Sequence, residues 1–217
     1  VGSEMCIRDR DRQLLAKNAQ IKSLQNQINA HFMYNVLESI KMMAEIEEKY
    51  DISDAITSLG KMLRYSMKWM TGTVTVEEEI TYISNYLKLL NLRFDYEIYL
   101  SLNIPEEISH MQIPKMLLQP LVENAVYHGI EEMAEDTNIY IKGILVDEEN
   151  CTIEVSDAGR GMDEKALEEL RSKIYSQTRS TEESGHGIGL KNVQDRVQLY
   201  FCLLYTSDAA DDLIGVD

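Results

Sequence analysis

The sequence predicts an α+β chain, a helical N-terminal region followed by a mixed α/β region, on three observations. Residues 11 to 94 are dense in helix formers, with apolar residues recurring at helical spacing. After Asp95, short alternating segments take turns with helical ones. Glycine clusters stand at two junctions of this second region, where a backbone must turn tightly or pass close to a neighbour.

The helical region opens with Leu14, Ile21 and Ile28 repeating every seven residues and Leu24 between them, a short heptad seam of the kind that dimerises helices. The stretch INAHFMYNVLESI continues as a first helix that ends near Glu48. At about 100° per residue Ile28, Phe32, Met33, Val36, Leu37, Ile40 and Ala44 fill one arc. His31 points on the order of 150° from the centre of that arc, toward solvent or another domain. Both an ordinary surface histidine and a reactive one fit that position. EEKYDISD interrupts the pattern, and a second helix is expected from about Ser53 to Met70, with Met67, Trp69 and Met70 packing at its end. TGTVTVEEEI then opens a third helix, with Thr75 and Glu78 spaced as a capping box. The acidic run behind Thr75 is expected to be a solvated helix start at the positive end of the dipole.

In the second region EIYLSLNI alternates as a strand and stops at Pro105. PKMLLQPLVENAVYHG reads as a helix with Pro114 near its start and Gly129 as an end cap, and Pro120 either kinks it or starts its main part. NIYIKGILV and CTIEVSD are two further strands, the second placing Cys151, Ile153 and Val155 on one face. A helix from about Asp163 to Tyr175, the polar stretch SQTRSTEESGHGIG and a last helix from about Ile188 to Phe201 complete the pattern.

Three segments of this region carry chemistry. In ENAVYHG, Asn124 and His128 share a helix face and Glu123 adjoins Asn124; a carboxamide oxygen suits Mg²⁺, although a capping or core Asn fits as well. In DAGRGM, Asp157 ends a strand, where a buried carboxylate can accept a hydrogen bond from an exocyclic amine; Gly159 and Gly161 let the backbone pass a flat ligand, and a plain Asp/Gly turn is the alternative. In GHGIGLKN, Gly185, Gly187 and Gly189 open a helix, and backbone N–H groups there make a phosphate cradle, with His186 as phosphate contact or spacer. No GK[ST] follows, so it is not a Walker loop, and no strand leads into it as in a dinucleotide fingerprint.

In this order and spacing the segments resemble the N, G1 and G2 boxes of the GHKL (Bergerat-type) ATP-binding fold of histidine kinases, gyrase, Hsp90 and mismatch-repair ATPases. LQNQINAHFMYNVLESI, LGKMLRYSM, VTVEEEITYISNYLKLLNLRF and IPKMLLQPLVENAVYHGI narrow the resemblance to the LytS/YesM-type sensor histidine kinases, from about Leu24 to Phe201. The resemblance implies a helical dimerisation and phosphoacceptor region over residues 11–94 and a GHKL α/β sandwich over residues 95–201, incomplete at its C-terminus. It implies His31 as phosphoacceptor, Asn124 as Mg²⁺ ligand, Asp157 as adenine reader, and Gly159, Gly161, Gly185, Gly187 and Gly189 as nucleotide loops, with His128 beside them. Phe32, not a carboxylate, follows His31, which leaves the proton acceptor open, with Glu123 as one candidate; Ala30 stands where the family usually has Pro. ATP and Mg²⁺, a homodimer, a response-regulator partner and a cytoplasmic place in a membrane-anchored receptor are implied with it. Residues 1–10 and 202–217 fit no part of the family and are expected to be non-native tails, leaving the sheet with an unpaired edge.

Composition sets outer limits on the 217-residue chain. A net charge of −16 argues against nucleic acid as a partner. Cys6, Cys151 and Cys202 are widely spaced and suggest neither a disulfide framework nor a zinc site. No run approaches the roughly 18 apolar residues of a membrane-spanning helix. The competing readings are a GHKL ATPase in which His31 is incidental and a nucleotide-binding scaffold without phosphohistidine chemistry.

Overall fold

The computed structural model describes residues 31–67, 72–130, 135–147, 150–175 and 188–200. The heptad seam, Trp69, Met70, Gly185, His186, Gly187 and both terminal segments lie outside them. The chain divides into two compact units between Trp69 and Met70. The third helix of the sequence, Val76–Asn91, falls in the second unit.

The first unit is a helical hairpin of α1, residues 31–46, and α2, Tyr50–Ser66. Between them the N–H of Glu48 donates to Glu45 O at 3.1 Å and that of Lys49 to Ala44 O at 2.8 Å. This is the Schellman pattern, with Glu48 in the left-handed region at φ 57° where glycine is usual. α2 begins three residues earlier than expected, at Tyr50, and within it the Ser53 hydroxyl donates to Glu45 Oε1 at 3.0 Å and ties the hairpin across its turn. Ala44 is buried, but Phe32, Met33, Val36 and Ile40 of the apolar arc are exposed, Phe32 by 68%.

The second unit is built on a sheet of β2 (Ile98–Asn103), β4 (Thr137–Leu145) and β5 (Cys151–Asp157), in the order β2-β4-β5. β4 runs parallel to β2 and antiparallel to β5, with Ile141 opposite Leu102 and Val155. Its alternation buries Thr137, Ile139, Ile141 and Gly143 and exposes Tyr140 and Lys142. Onto the buried face pack α3 (Val76–Asn91) and α4 (Glu106–Ser109), which bring Ile83 and Ile108 to Ile98, Ile139 and Ile141 in one core. Burying each such isoleucine contributes about 2 kcal/mol. The capping box on α3 is present: Glu78 N donates to Thr75 Oγ1 and Thr75 N to Glu78 Oε2, both at 3.2 Å. At the other end of α3 the Asn91 amide exchanges two 3.1 Å hydrogen bonds with the backbone of Ile98 and so fixes where β2 begins.

Two expectations are corrected. Pro114 does not start a helix; Gln112–Pro114 is a strand, β3, that pairs antiparallel with β1, Thr73–Thr75. The helix α5 starts at Gln119, and Pro120 in its first turn is the starter, having no N–H to leave unpaired there. The acidic run is not wholly solvated either: Glu77 is exposed, Glu78 closes the cap, and Glu79 is fully buried at 0% exposure. The helices α6 (Glu164–Tyr175) and α7 (Ile188–Tyr200) close the unit.

Because a side chain at φ 57° carries a steric cost that glycine does not, Glu48→Gly is expected to stabilise the hairpin by about 0.5–1 kcal/mol. Thermal unfolding followed by circular dichroism reads this as a higher first melting transition, and a lower one would contradict the Schellman assignment.

Candidate functional site

α5 does not end at Asn124. It continues as a π-helical turn, Ala125–Ile130, whose wider winding is a common device at functional sites. Gly129 lies buried inside this turn and is not the left-handed end cap that the sequence suggested. Its lack of a side chain serves a close approach: a Cβ there would collide with the Asp157 carboxylate. The same holds in return, since a Cβ on Gly159 would collide with the Gly129 carbonyl. Around this contact the N–H of Gly159 donates to Asp157 Oδ1 at 2.8 Å and that of Arg160 to Gly129 O at 3.4 Å. Asp157 is exposed at the end of β5, not buried as expected. Gly161 takes φ +67° with open space beside its Cα, so it supplies the turn while Gly159 supplies the proximity.

Beside this joint the side chains of Pro120, Glu123, Asn124, Tyr127 and His128 line one wall of a cleft, and Gly189 and Leu190 at the start of α7 line the other. Gly189 packs against the Pro120 ring, where a Cβ would lie 3.8 Å from Pro120 Cβ. The Glu123 carboxylate accepts from Gln119 Nε2 at 2.7 Å and is half-buried. Close by, burial above all, then Tyr127 and Glu123, push the Tyr86 hydroxyl well above the usual tyrosine range, so that it stays protonated. The structure thus brings Glu123, Asn124, His128 and Gly189 together and sets Asp157, Gly159 and Gly161 on the loop beside the π turn. Gly185 and Gly187 lie outside the described residues.

His31 is exposed near the start of α1, and the Asn35 amide lies 3.4 Å from its Nδ1. His110 is exposed after α4, 4.0 Å from Glu77. Cys151 is half-buried on the sheet, and burial pushes its thiol up.

Sequence reasoning gave no part in the site to Gly129, Tyr86, Glu79 or Arg196. Glu79 carried a signal, because it falls on the helical arc of Val76, Ile83 and Leu87 that faces the core. Its carboxylate accepts the N–H of Met116 and, at 3.1 Å, that of Leu118. Arg196 on α7 reaches the carbonyls of Lys115 and Met116 at 2.8 and 3.1 Å. No spacing rule would have joined residues so far apart in sequence.

Residues 19–98 match the family model of the histidine kinases, and residues 113–207 match that of the histidine kinase-, DNA gyrase B- and HSP90-like ATPases. The second match makes ATP the ligand class of the domain that holds the cleft. The chain is 36% identical to the sensor histidine kinase YesM of Bacillus subtilis over 88% of its length, covering 31% of that protein. It is 32% identical to a sensor-like histidine kinase of Staphylococcus epidermidis, covering 85% of this chain and 35% of that one. With the sensor protein kinase HptS of Staphylococcus aureus the identity is 31%, over 85% of this chain and 34% of that one. The chain spans about a third of the length of these relatives. With both family models matched in order, and a helical segment leading into a GHKL-type α/β region, the chain belongs to the sensor histidine kinases.

Proposed function

We propose that this chain is the kinase core of a two-component sensor. ATP binds the cleft between α5 with its π turn and α7, and its γ-phosphoryl group passes to His31 and then to an aspartate of a response regulator. The observation that carries this reading is the cleft itself, where Glu123, Asn124 and His128 face the glycine-led start of α7 beside the Asp157–Gly159 loop. Helix N-termini of this kind attract phosphate.

The chemistry asks for positioning more than for covalent work by the protein. A ring nitrogen of His31 forms a bond to the γ-phosphorus as the bond to the β,γ-bridging oxygen breaks, and ADP leaves with the electron pair. Glu123, with no carboxylate next to His31, takes up the proton. Asp157 reads the adenine amino group, since a carboxylate accepts from N6 of adenine but faces the O6 acceptor of guanine. The carboxamide oxygen of Asn124, which lines the cleft, would hold a Mg²⁺ ion, a hard cation suited to such a donor. When bound, the ion neutralises charge on the phosphate oxygens.

Exposed Phe32, Val36, Ile40 and Met43 recur along one side of α1, which supports a second copy of the chain as the partner of this helix. Among the described residues no helix is long and apolar enough to cross a membrane. The reading places the chain on the cytoplasmic side of a membrane-anchored receptor, as in the receptors its family implies.

Incubation with γ-labelled ATP followed by mapping of the label tests the transfer. His31→Gln is expected to abolish alkali-stable, acid-labile label while ATP affinity stays within about twofold, because the residues proposed to bind ATP all belong to the second unit. Label retained in that variant would overturn the assignment. Asp157→Asn is expected to weaken ATP by about tenfold, the worth of one hydrogen bond to a charged group, and to narrow the preference for ATP over GTP. Equal weakening of both nucleotides in binding assays would remove the reading role from Asp157.

A further inference from the structure

We propose that Glu79 and Arg196 are positioning residues that fix the separation of the two cleft walls by gripping loop 115–118 from opposite sides. This rests on the reading of the cleft as the ATP site. The loop leaves β3 at Pro114 and enters α5 at Gln119, so it is the root of the wall that carries Glu123 and Asn124. Met116 within it is held at φ 59°, a conformation that a non-glycine residue keeps only where its surroundings over-determine it.

Those surroundings are two side chains from two helices. Glu79 of α3, fully buried, accepts the N–H groups of Met116 and Leu118. Arg196 of α7 donates through Nη1 to the carbonyls of Lys115 and Met116. The remaining N–H of Lys115 donates to Gly72 O at 3.3 Å. Backbone polar groups that secondary structure would otherwise pair are here paired by charged side chains, and such bonds are the stronger kind.

The consequence lies in where Arg196 stands. Its helix begins with Gly189 and Leu190, one wall of the cleft, and its guanidinium holds the root of the other wall. Glu79 holds the same root from the core. A nucleotide touching both walls therefore meets them already spaced, and the ordering that binding would otherwise require is done in advance. Arg196 is exposed, so its removal takes away the tie without opening the core.

The test uses the full 217-residue chain with Arg196→Met, Arg196→Lys and Glu79→Gln. ATP affinity, autophosphorylation at limiting and saturating ATP, melting temperature and amide exchange at Met116 and Leu118 are measured. Arg196→Met is expected to weaken ATP and raise KM by about tenfold, with kcat within about twofold and the melting temperature close to wild type. Arg196→Lys, which keeps a charged donor on a shorter and differently shaped head, recovers part of the affinity. Glu79→Gln speeds exchange at Leu118 and weakens ATP in the same direction. Unchanged ATP affinity in a folded Arg196→Met variant would overturn the proposal, as would a fall in kcat at constant KM. Failure of the wild-type chain to bind ATP would instead overturn the reading of the cleft on which this rests.

Discussion

Two backbones touch where β5 ends, and the rest of the site is arranged around that contact. Gly159 approaches the Gly129 carbonyl so closely that neither position admits a side chain, and the Asp157 carboxylate occupies the space that a Cβ on Gly129 would need. A sheet end and a helix can meet at this range only through glycine. The π turn supplies the other half of the fit, since its extra residue per turn carries Gly129 out to meet the loop. Asn124, His128 and Asp157 sit within one turn of helix or one loop of this joint, and the start of α7 faces them across the cleft.

The polar residues of the site are half-exposed, and their order is borrowed from buried groups behind them. Glu79 and the isoleucine core under the sheet have no solvent contact, whereas Glu123 and Asn124 stand at the cleft with partial access. Such a division suits a site that must admit a nucleotide and hold it in register: rigidity comes from α3 and the strands, and the groups that act are left reachable. In the helical unit the balance is reversed. Among the described residues Phe32, Met33, Val36 and Ile40 on the apolar side of α1 are exposed.

Much of this was legible in the sequence because it rests on local rules. The capping box at Thr75, the strands through Ile98, Ile139 and Ile153, and the starting role open to Pro120 each follow from spacing or from the chemistry of one residue. What was not legible depends on residues far apart. Pro114 read as part of a helix because its pairing partner Thr73 lies in another segment, and pairing decides a three-residue strand more than its own composition does. Gly129 read as a cap because a helix-ending glycine is the common case, and only the arrival of Asp157 gives it a different use. Glu79 read as solvated because its neighbours Glu77 and Glu78 are of the same type, yet helical rotation turns it inward where two N–H groups await it. The second helix read as starting near Ser53, whereas it starts at Tyr50 and the Ser53 hydroxyl is spent on Glu45 across the turn.

The contact between Gly159 and Gly129 is also the most exposed point of the account, because one methyl group tests it. In Gly159→Ala the added Cβ must push the strand-end loop off the π turn, and the Arg160 N–H loses its acceptor. Measured by equilibrium binding of ATP alongside amide exchange, this variant should remain folded in its core, lose most of its affinity for ATP and exchange the Arg160 amide faster. Wild-type affinity with unchanged exchange in Gly159→Ala would show that the site does not depend on the two backbones meeting.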